Sequence, residues 1–213
     1  MVFKNILNLN CHNDDIICLA YSSRGYLASC SIHDINIWDS KSFTIIASLK
    51  DNKAKFECIA FSNNKLISGS DLNLKIWYPS TGECLQTLED IKRVKSICVL
   101  KDGKIAIAQK TGIIILNENF EKISEIDGKN YSIVGLGQLN NGNLVMVCDE
   151  QIKIFEINTL EDIETLYNNT NNKAFKVLQD GSLAIGFGFD SEVNILDKDN
   201  FRLKFKIECK KNT

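Results

Sequence analysis

Apolar and polar residues alternate along this chain in runs of five to eight, and polar turns interrupt the runs every eight to ten residues. The stretch "LISGSDLNLKIWYPSTGECLQTL", Leu66 to Leu88, shows the rhythm: alternation, a break at Pro79-Ser80-Thr81-Gly82, then alternation again. A period of two places successive side chains on opposite faces of a strand, and no stretch of helical period is long enough to compete. Trp38 closes one β-branched run, "DINIW", and Trp77 closes another, "LNLKIW", 39 residues later. The next steps of 39, 39 and 41 residues land on Leu116, Phe155 and Leu196, each closing a similar run. An apolar run opens each unit ("IICLAY", "FECIAF", "VKSICVL", "SIVGLGQL", "AFKVL"). A turn follows it: Ser22 to Gly25, Asn63-Asn64, Asp102-Gly103, Asn141-Gly142 and Asp180-Gly181. Asn-Gly and Asp-Gly are the pairs that two-residue hairpin turns favour, because their backbone needs positive φ. A second run, the marker run and a fourth run ("FTIIASL", "CLQTL", "FEKISEI", "LEDIETL", "FRLKFKI") complete the unit.

Five units of four short antiparallel strands predict an all-β chain built as a β-propeller of about five blades, in one domain. The blades are expected at about 11–50, 51–90, 91–127, 128–167 and 168–209, with an extra strand over residues 2–9. A four-stranded sheet cannot bury both faces alone, so each must stack on its neighbours. The count leaves three arrangements open. The five blades can close on themselves, form part of a larger ring, or form an open ring completed by another chain.

Composition narrows the class. The chain has 213 residues, 44% hydrophobic and 24% charged, which suits a globular fold with a core. With 25 basic and 27 acidic residues it lacks the basic footprint of a nucleic-acid binder and the polybasic cluster of a membrane-surface protein. The opening "MVFKNILNLN" is too short and polar to read as a secretory leader, so a cytoplasmic, reducing location is expected. The eight cysteines then read as free thiols. Cys18, Cys58 and Cys98 lie inside apolar runs, where cysteine acts as a small hydrophobe.

These residues resemble the WD-repeat β-propeller family. Trp38-Asp39 is a literal Trp-Asp pair, "SGSDLNLKIW" (Ser68 to Trp77) is close to the family's Ser-Gly-Ser…Trp phrase, and "LNCHNDDI" matches its Gly-His phrase with cysteine for glycine. The resemblance spans nearly the whole chain, strongest in the first two units. It implies a hydrogen-bonded His, Ser, Asp and Trp set in a blade, here His12, Ser29, Asp34 and Trp38. Ser68, Asp71 and Trp77 are the second blade's members. Such a set is structural, since it supplies partners to a buried indole N–H and a loop carboxylate.

Reactive chemistry is sparse. His12 and His33 are the only histidines, and with Cys11 and Cys30 they form the only Cys/His cluster. Four zinc ligands there would require the adjacent Cys11 and His12 to point together. A nucleophilic site would need His33 beside Cys30 together with an orienting group that the sequence does not offer. "GLGQLNNG" and "GFGFD" open no helix and read as strand or turn glycines, not phosphate loops. No cofactor or metal is expected.

A non-enzymatic protein-interaction scaffold is the expected function, because the resemblance implies one rim that receives peptides or domains. Mapped on the repeat, that rim holds Asp14, Asp15, His33, Lys53, Lys55, Asp71, Lys92, Arg93, Lys110, Asn130, Tyr131, Asn171 and Asp190. Its mixed charge suits electrostatic selection of a protein partner. A metal-dependent propeller hydrolase is one alternative, but it would draw ligands from several blades, and both histidines fall in the first. A five-bladed sugar-binding lectin is another, but it would want an aromatic pocket in every blade, and only two blades carry tryptophan.

Overall fold

The computed structural model describes residues 9, 11–51, 53–127, 132–167, 172–187 and 192–208. Twenty strands in five four-stranded antiparallel sheets make up the fold, each sheet paired in chain order, with no helix among the described residues. Blade one holds Cys18–Tyr21 (β1), Tyr26–Cys30 (β2), Asp34–Asp39 (β3) and Ile45–Lys50 (β4). Blade two holds Phe56–Ser62 (β5), Lys65–Ser70 (β6), Leu74–Tyr78 (β7) and Glu83–Leu88 (β8). Blade three holds Val94–Val99 (β9), Ile105–Gln109 (β10), Gly112–Leu116 (β11) and Lys122–Asp127 (β12). Blade four holds Ile133–Gln138 (β13), Leu144–Cys148 (β14), Gln151–Phe155 (β15) and Asp162–Tyr167 (β16). Blade five holds Asn172–Val177 (β17), Leu183–Phe187 (β18), Glu192–Leu196 (β19) and Leu203–Glu208 (β20). The extra strand expected over 2–9 lies, but for Leu9, outside the described residues.

The repeat is visible in local geometry. In every blade the third and fourth strands slip register between the marker and the residue before it: Ile37/Trp38, Ile76/Trp77, Ile115/Leu116, Ile154/Phe155 and Ile195/Leu196. A bulge there adds local twist to the outer hairpin. The first turns differ from the simple expectation. Only Asn63-Asn64 is a two-residue turn with both φ positive, at 44° and 62°. At Asp102-Gly103, Asn141-Gly142 and Asp180-Gly181 the glycine alone is left-handed. The residue before it accepts the N–H two positions on: Lys104, Asn143 and Ser182. These are one residue longer than a two-residue turn, because the side-chain acceptor favours a type I turn and the glycine supplies the closing positive φ.

Four apolar clusters lie at the four blade junctions. Ile35, Ile37 and Leu49 of blade one meet Phe56, Ile59, Leu66 and Trp77 of blade two. Leu74 and Ile76 then meet Val94, Ile105, Ile107 and Leu116, and Ile113 and Ile115 meet Leu136, Leu144, Met146 and Phe155. Ile152 and Ile154 meet Phe175, Val177, Leu183 and Ile185. Each junction therefore joins one blade's middle-strand isoleucines to the next blade's inner strands. Gly135 and Gly137 belong to this packing: a Cβ on either would lie 2.9 or 2.7 Å from the Phe175 ring, so both hold the close approach of blades four and five.

The inner strands pack in sequence, β1 on β5, β5 on β9, β9 on β13 and β13 on β17. No comparable packing joins β17 to β1 among the described residues. Among the described residues, blades one and five therefore share no junction like the other four.

Candidate functional site

Blade one carries a continuous hydrogen-bond chain. The Trp38 indole N–H donates to Ser29 Oγ at 3.0 Å, and Ser29 Oγ lies 2.7 Å from His12 Nε2. His12 Nδ1 reaches Asp34 Oδ1 at 2.5 Å, and Ser31 Oγ donates to the same oxygen at 2.5 Å. The donors run one way: indole to hydroxyl, hydroxyl to imidazole, imidazole to carboxylate. Burial opposes ionisation of Asp34, but the hydrogen bonds from Ser31 and His12 and the charge of Lys50 outweigh it and hold its carboxyl below 3.8. Blade two keeps only the first link, Trp77 N–H to Ser68 Oγ at 2.8 Å. Asp71 serves elsewhere, accepting the Lys55 backbone N–H at 2.7 Å.

The structure separates the four residues of the Cys/His cluster. Cys30 is buried in blade one and its Sγ donates to Ser31 O. His12 belongs to the chain just described, and His33 is exposed, paired with Asp14 at 2.8 Å. Among the described residues no three His, Cys, Asp or Glu side chains stand together as metal ligands. The seven described cysteines are free thiols. Desolvation pushes Cys98 up to about 11 and Cys148 up to about 12.

A cavity of about 990 Å³ opens where blades two to five meet around the axis. It gathers three of the residues the repeat placed on the rim, Asp71, Arg93 and Lys110. It adds Glu57, Lys95, Ser132, Asp149, Asn172 and Lys173, with Ile133 and Val134 as its apolar wall. Backbone bonds from one blade to the next frame it: Arg93 N–H to Asp71 O and Asn172 N–H to Asp149 O, both at 3.0 Å. Arg93 is left-handed, at φ 53°, as the chain turns from the rim into β9. Val94 pairs with Gln109, so Arg93 and Lys110 flank the same end of the β9–β10 ladder.

The cavity's charges are unequally satisfied. Glu57 holds Lys95 at 2.7 Å. Asp149 accepts from Ser132 at 2.5 Å, with Lys173 at 3.8 Å. Asp71 has the Lys55 N–H. The Arg93 and Lys110 side chains have no hydrogen-bond or ion-pair partner among the described residues. Asp14, Asp15, His33, Lys53, Lys55 and Lys92 do not line this cavity; Lys92 instead gives its carbonyl to Gln109. Asn130, Tyr131, Asn171 and Asp190 lie outside the described residues. The inner-strand residues Glu57, Lys95, Val134 and Lys173 were missed although they recur at steps of 38, 39 and 39. Following the phase of the opening run, not only its loops, would have found them.

Residues 3–39 match the family model described as WD domain, G-beta repeat. That match ends with β3 of blade one, and the same four-stranded unit recurs through five sheets, so the fold is a five-bladed β-propeller whose first repeat is similar to a WD repeat. No curated protein matches it in sequence. The crystal structure of a protein of unknown function from Bacteroides caccae is similar, with a TM-score of 0.71 and 12% identity over 86% of this chain and 72% of that one. At that identity the likeness concerns the fold alone.

Proposed function

We propose that this propeller is a non-enzymatic protein-interaction scaffold, working in the cytoplasm, that seats an acidic segment of a partner protein in the cavity between blades two and five. One observation carries the reading. The cavity's three carboxylates are all satisfied from within the chain, while Arg93 and Lys110 have no partner among the described residues. A carboxylate entering there would find a guanidinium fork and an ammonium beside it, with Ile133 and Val134 for apolar contact. WD-repeat propellers generally bind protein partners, which fits this use. The burial of both tryptophans favours it over the sugar-binding alternative, since neither ring is offered to a ligand.

The test is fluorescence anisotropy with a labelled peptide rich in Asp and Glu and a neutral peptide of the same length. Wild type binds the acidic peptide more tightly, and added salt weakens that binding. Arg93→Glu with Lys110→Glu reduces it by about tenfold or more, roughly 1.4 kcal/mol or above, with an unchanged urea midpoint. Equal binding of both peptides, or full binding by the charge-reversed protein, would refute the site.

A further inference from the structure

Cys18 and Cys30 stand directly opposite each other on β1 and β2, so their side chains share one face of the sheet. That face is turned toward blade two. Cys30 belongs to the apolar cluster at the junction of blades one and two, and Cys18 packs against it with Ala20. No other two described cysteines are opposed in this way. Cys58 faces Gly69, Cys84 faces Trp77, Cys98 faces Ala106 and Cys148 faces Ile133. Cys18 and Cys58 hold corresponding places in the opening runs of their blades, as Cys30 and Gly69 do in the second runs. Blade one therefore sets a thiol where blade two sets a glycine, so the pair is an addition to the repeat and not a demand of it.

Opposed residues of an antiparallel pair have Cα atoms about 4.5–5.5 Å apart, inside the roughly 4.4–6.8 Å that a disulfide spans. Their Cβ atoms, also about 4.5–5.5 Å apart, are somewhat wider than the ~3.8 Å of a relaxed bond. Closing the bond draws the strands together and leaves it open to reduction. The two thiols are unequal. Cys18 is half-buried, while Cys30 has no exposed surface. The neighbouring Cys30 thiol, helped by the Ile59 backbone, lowers the Cys18 pKa against the burial that would raise it. Cys30 is pushed up by its contact with Cys18 and by desolvation, and Cys58 by desolvation and by Cys18. Cys18 is thus the thiol that both meets a solute and ionises first, and Cys30 keeps its proton behind it.

We propose that Cys18 and Cys30 are a reversible thiol pair, which a hydroperoxide oxidises to a disulfide that staples β1 to β2. The Cys18 thiolate attacks one peroxide oxygen. An S–O bond forms, the O–O bond breaks, and the departing hydroxide takes up the proton that Cys18 released, leaving water and a sulfenic acid. The Cys30 sulfur then attacks Cys18 Sγ. The S–S bond forms, the S–O bond breaks, and the hydroxyl leaves as water with the Cys30 proton. Two thiols lose two electrons, and hydrogen peroxide becomes two waters. A small thiol reverses the bond by exchange. β1 is the strand the staple serves, because with four residues it is the shortest described strand. In a reducing compartment such a bond is transient, as a redox signal requires. The pair uses neither Arg93 nor Lys110 and stands apart from the rim cavity.

Peptide mapping by mass spectrometry, on the folded full chain treated with hydrogen peroxide, tests it. Cleavage after Asp15 and Arg24 puts Cys11, Cys18 and Cys30 on separate peptides. Wild type loses two thiols and yields the Cys18 peptide joined to the Cys30 peptide, and dithiothreitol returns both. Cys30→Ala stops at the Cys18 sulfenic acid, which dimedone traps, and Cys58→Ser still forms the bond. Should Cys30→Ala fail to fold, the wild-type map decides alone. Cys18 and Cys30 left unlinked once exposed Cys84 has been oxidised would overturn the inference. So would Cys18 joined to Cys11 or Cys58, or a Cys18–Cys30 bond that forms only in urea.

Discussion

Gly69 lies on β6 of blade two, where blade three packs against it. A Cβ built there would stand 2.4 Å from Val94 Cγ1, 2.8 Å from Val94 Cβ and 2.8 Å from Cys58 Sγ. Ordinary van der Waals contact begins near 3.4 Å, so one methyl group is short of room by about 1 Å against a β-branched side chain anchored on β9. Val94 is fully buried and has little freedom at χ1, so it cannot swing away. The strain must move the β6–β9 contact itself, and Gly69→Ala is expected to cost about 1–3 kcal/mol as overpacking. The fall is opposed by roughly 0.4–1 kcal/mol from reduced freedom of the unfolded chain, which sets the lower end of the range. Val94→Ala alone removes two methyl groups from a buried junction and destabilises by cavity formation. The double variant must then be more stable than the sum of the singles predicts, by about 0.5–3 kcal/mol, because the alanine methyl occupies the space that valine leaves. Urea unfolding of the four proteins reads this cycle from midpoint and slope. Additive losses, or a Gly69→Ala midpoint equal to wild type, would show that blades two and three do not approach as described.

Three further expectations concern the same structure. Trp77→Ala empties a site at the junction of blades one and two and should cost about 3–5 kcal/mol in urea unfolding; an unchanged midpoint would place the ring outside the core. Asp34→Asn tests the blade-one hydrogen-bond chain. Its carboxyl is held below 3.8, so its contribution to stability is present above that pH and lost as pH falls through the lower folded value. The stability gap between wild type and Asp34→Asn should therefore narrow in acid, and a gap independent of pH would contradict the pairing. Thiol labelling under native conditions should modify exposed Cys84 first and Cys58 and Cys148 slowly, because desolvation raises both of those thiols; equal rates would mean the blades open freely.

Much of the fold was legible along the chain. Strand alternation, the turns and the recurring marker at Trp38, Trp77, Leu116, Phe155 and Leu196 are local or periodic, and each blade's order follows from loops too short for anything but antiparallel neighbours. The residues of the blade-one chain were also legible, because each sits at a set place in a repeating unit. The cavity was half legible. Arg93 and Lys110 were on the rim by position, but that Glu57 and Lys95 pair and Asp149 holds Ser132, leaving those two cations without partners among the described residues, depends on how inner strands from different blades converge. Whether the ring closes could not be read from the repeat at all. A repeat specifies which face meets which, and Leu19 carries the same local pattern as its buried equivalents Ile59 and Leu136. Only the accumulated rotation from blade to blade decides whether the last face returns to the first, and that is a property of the whole stack.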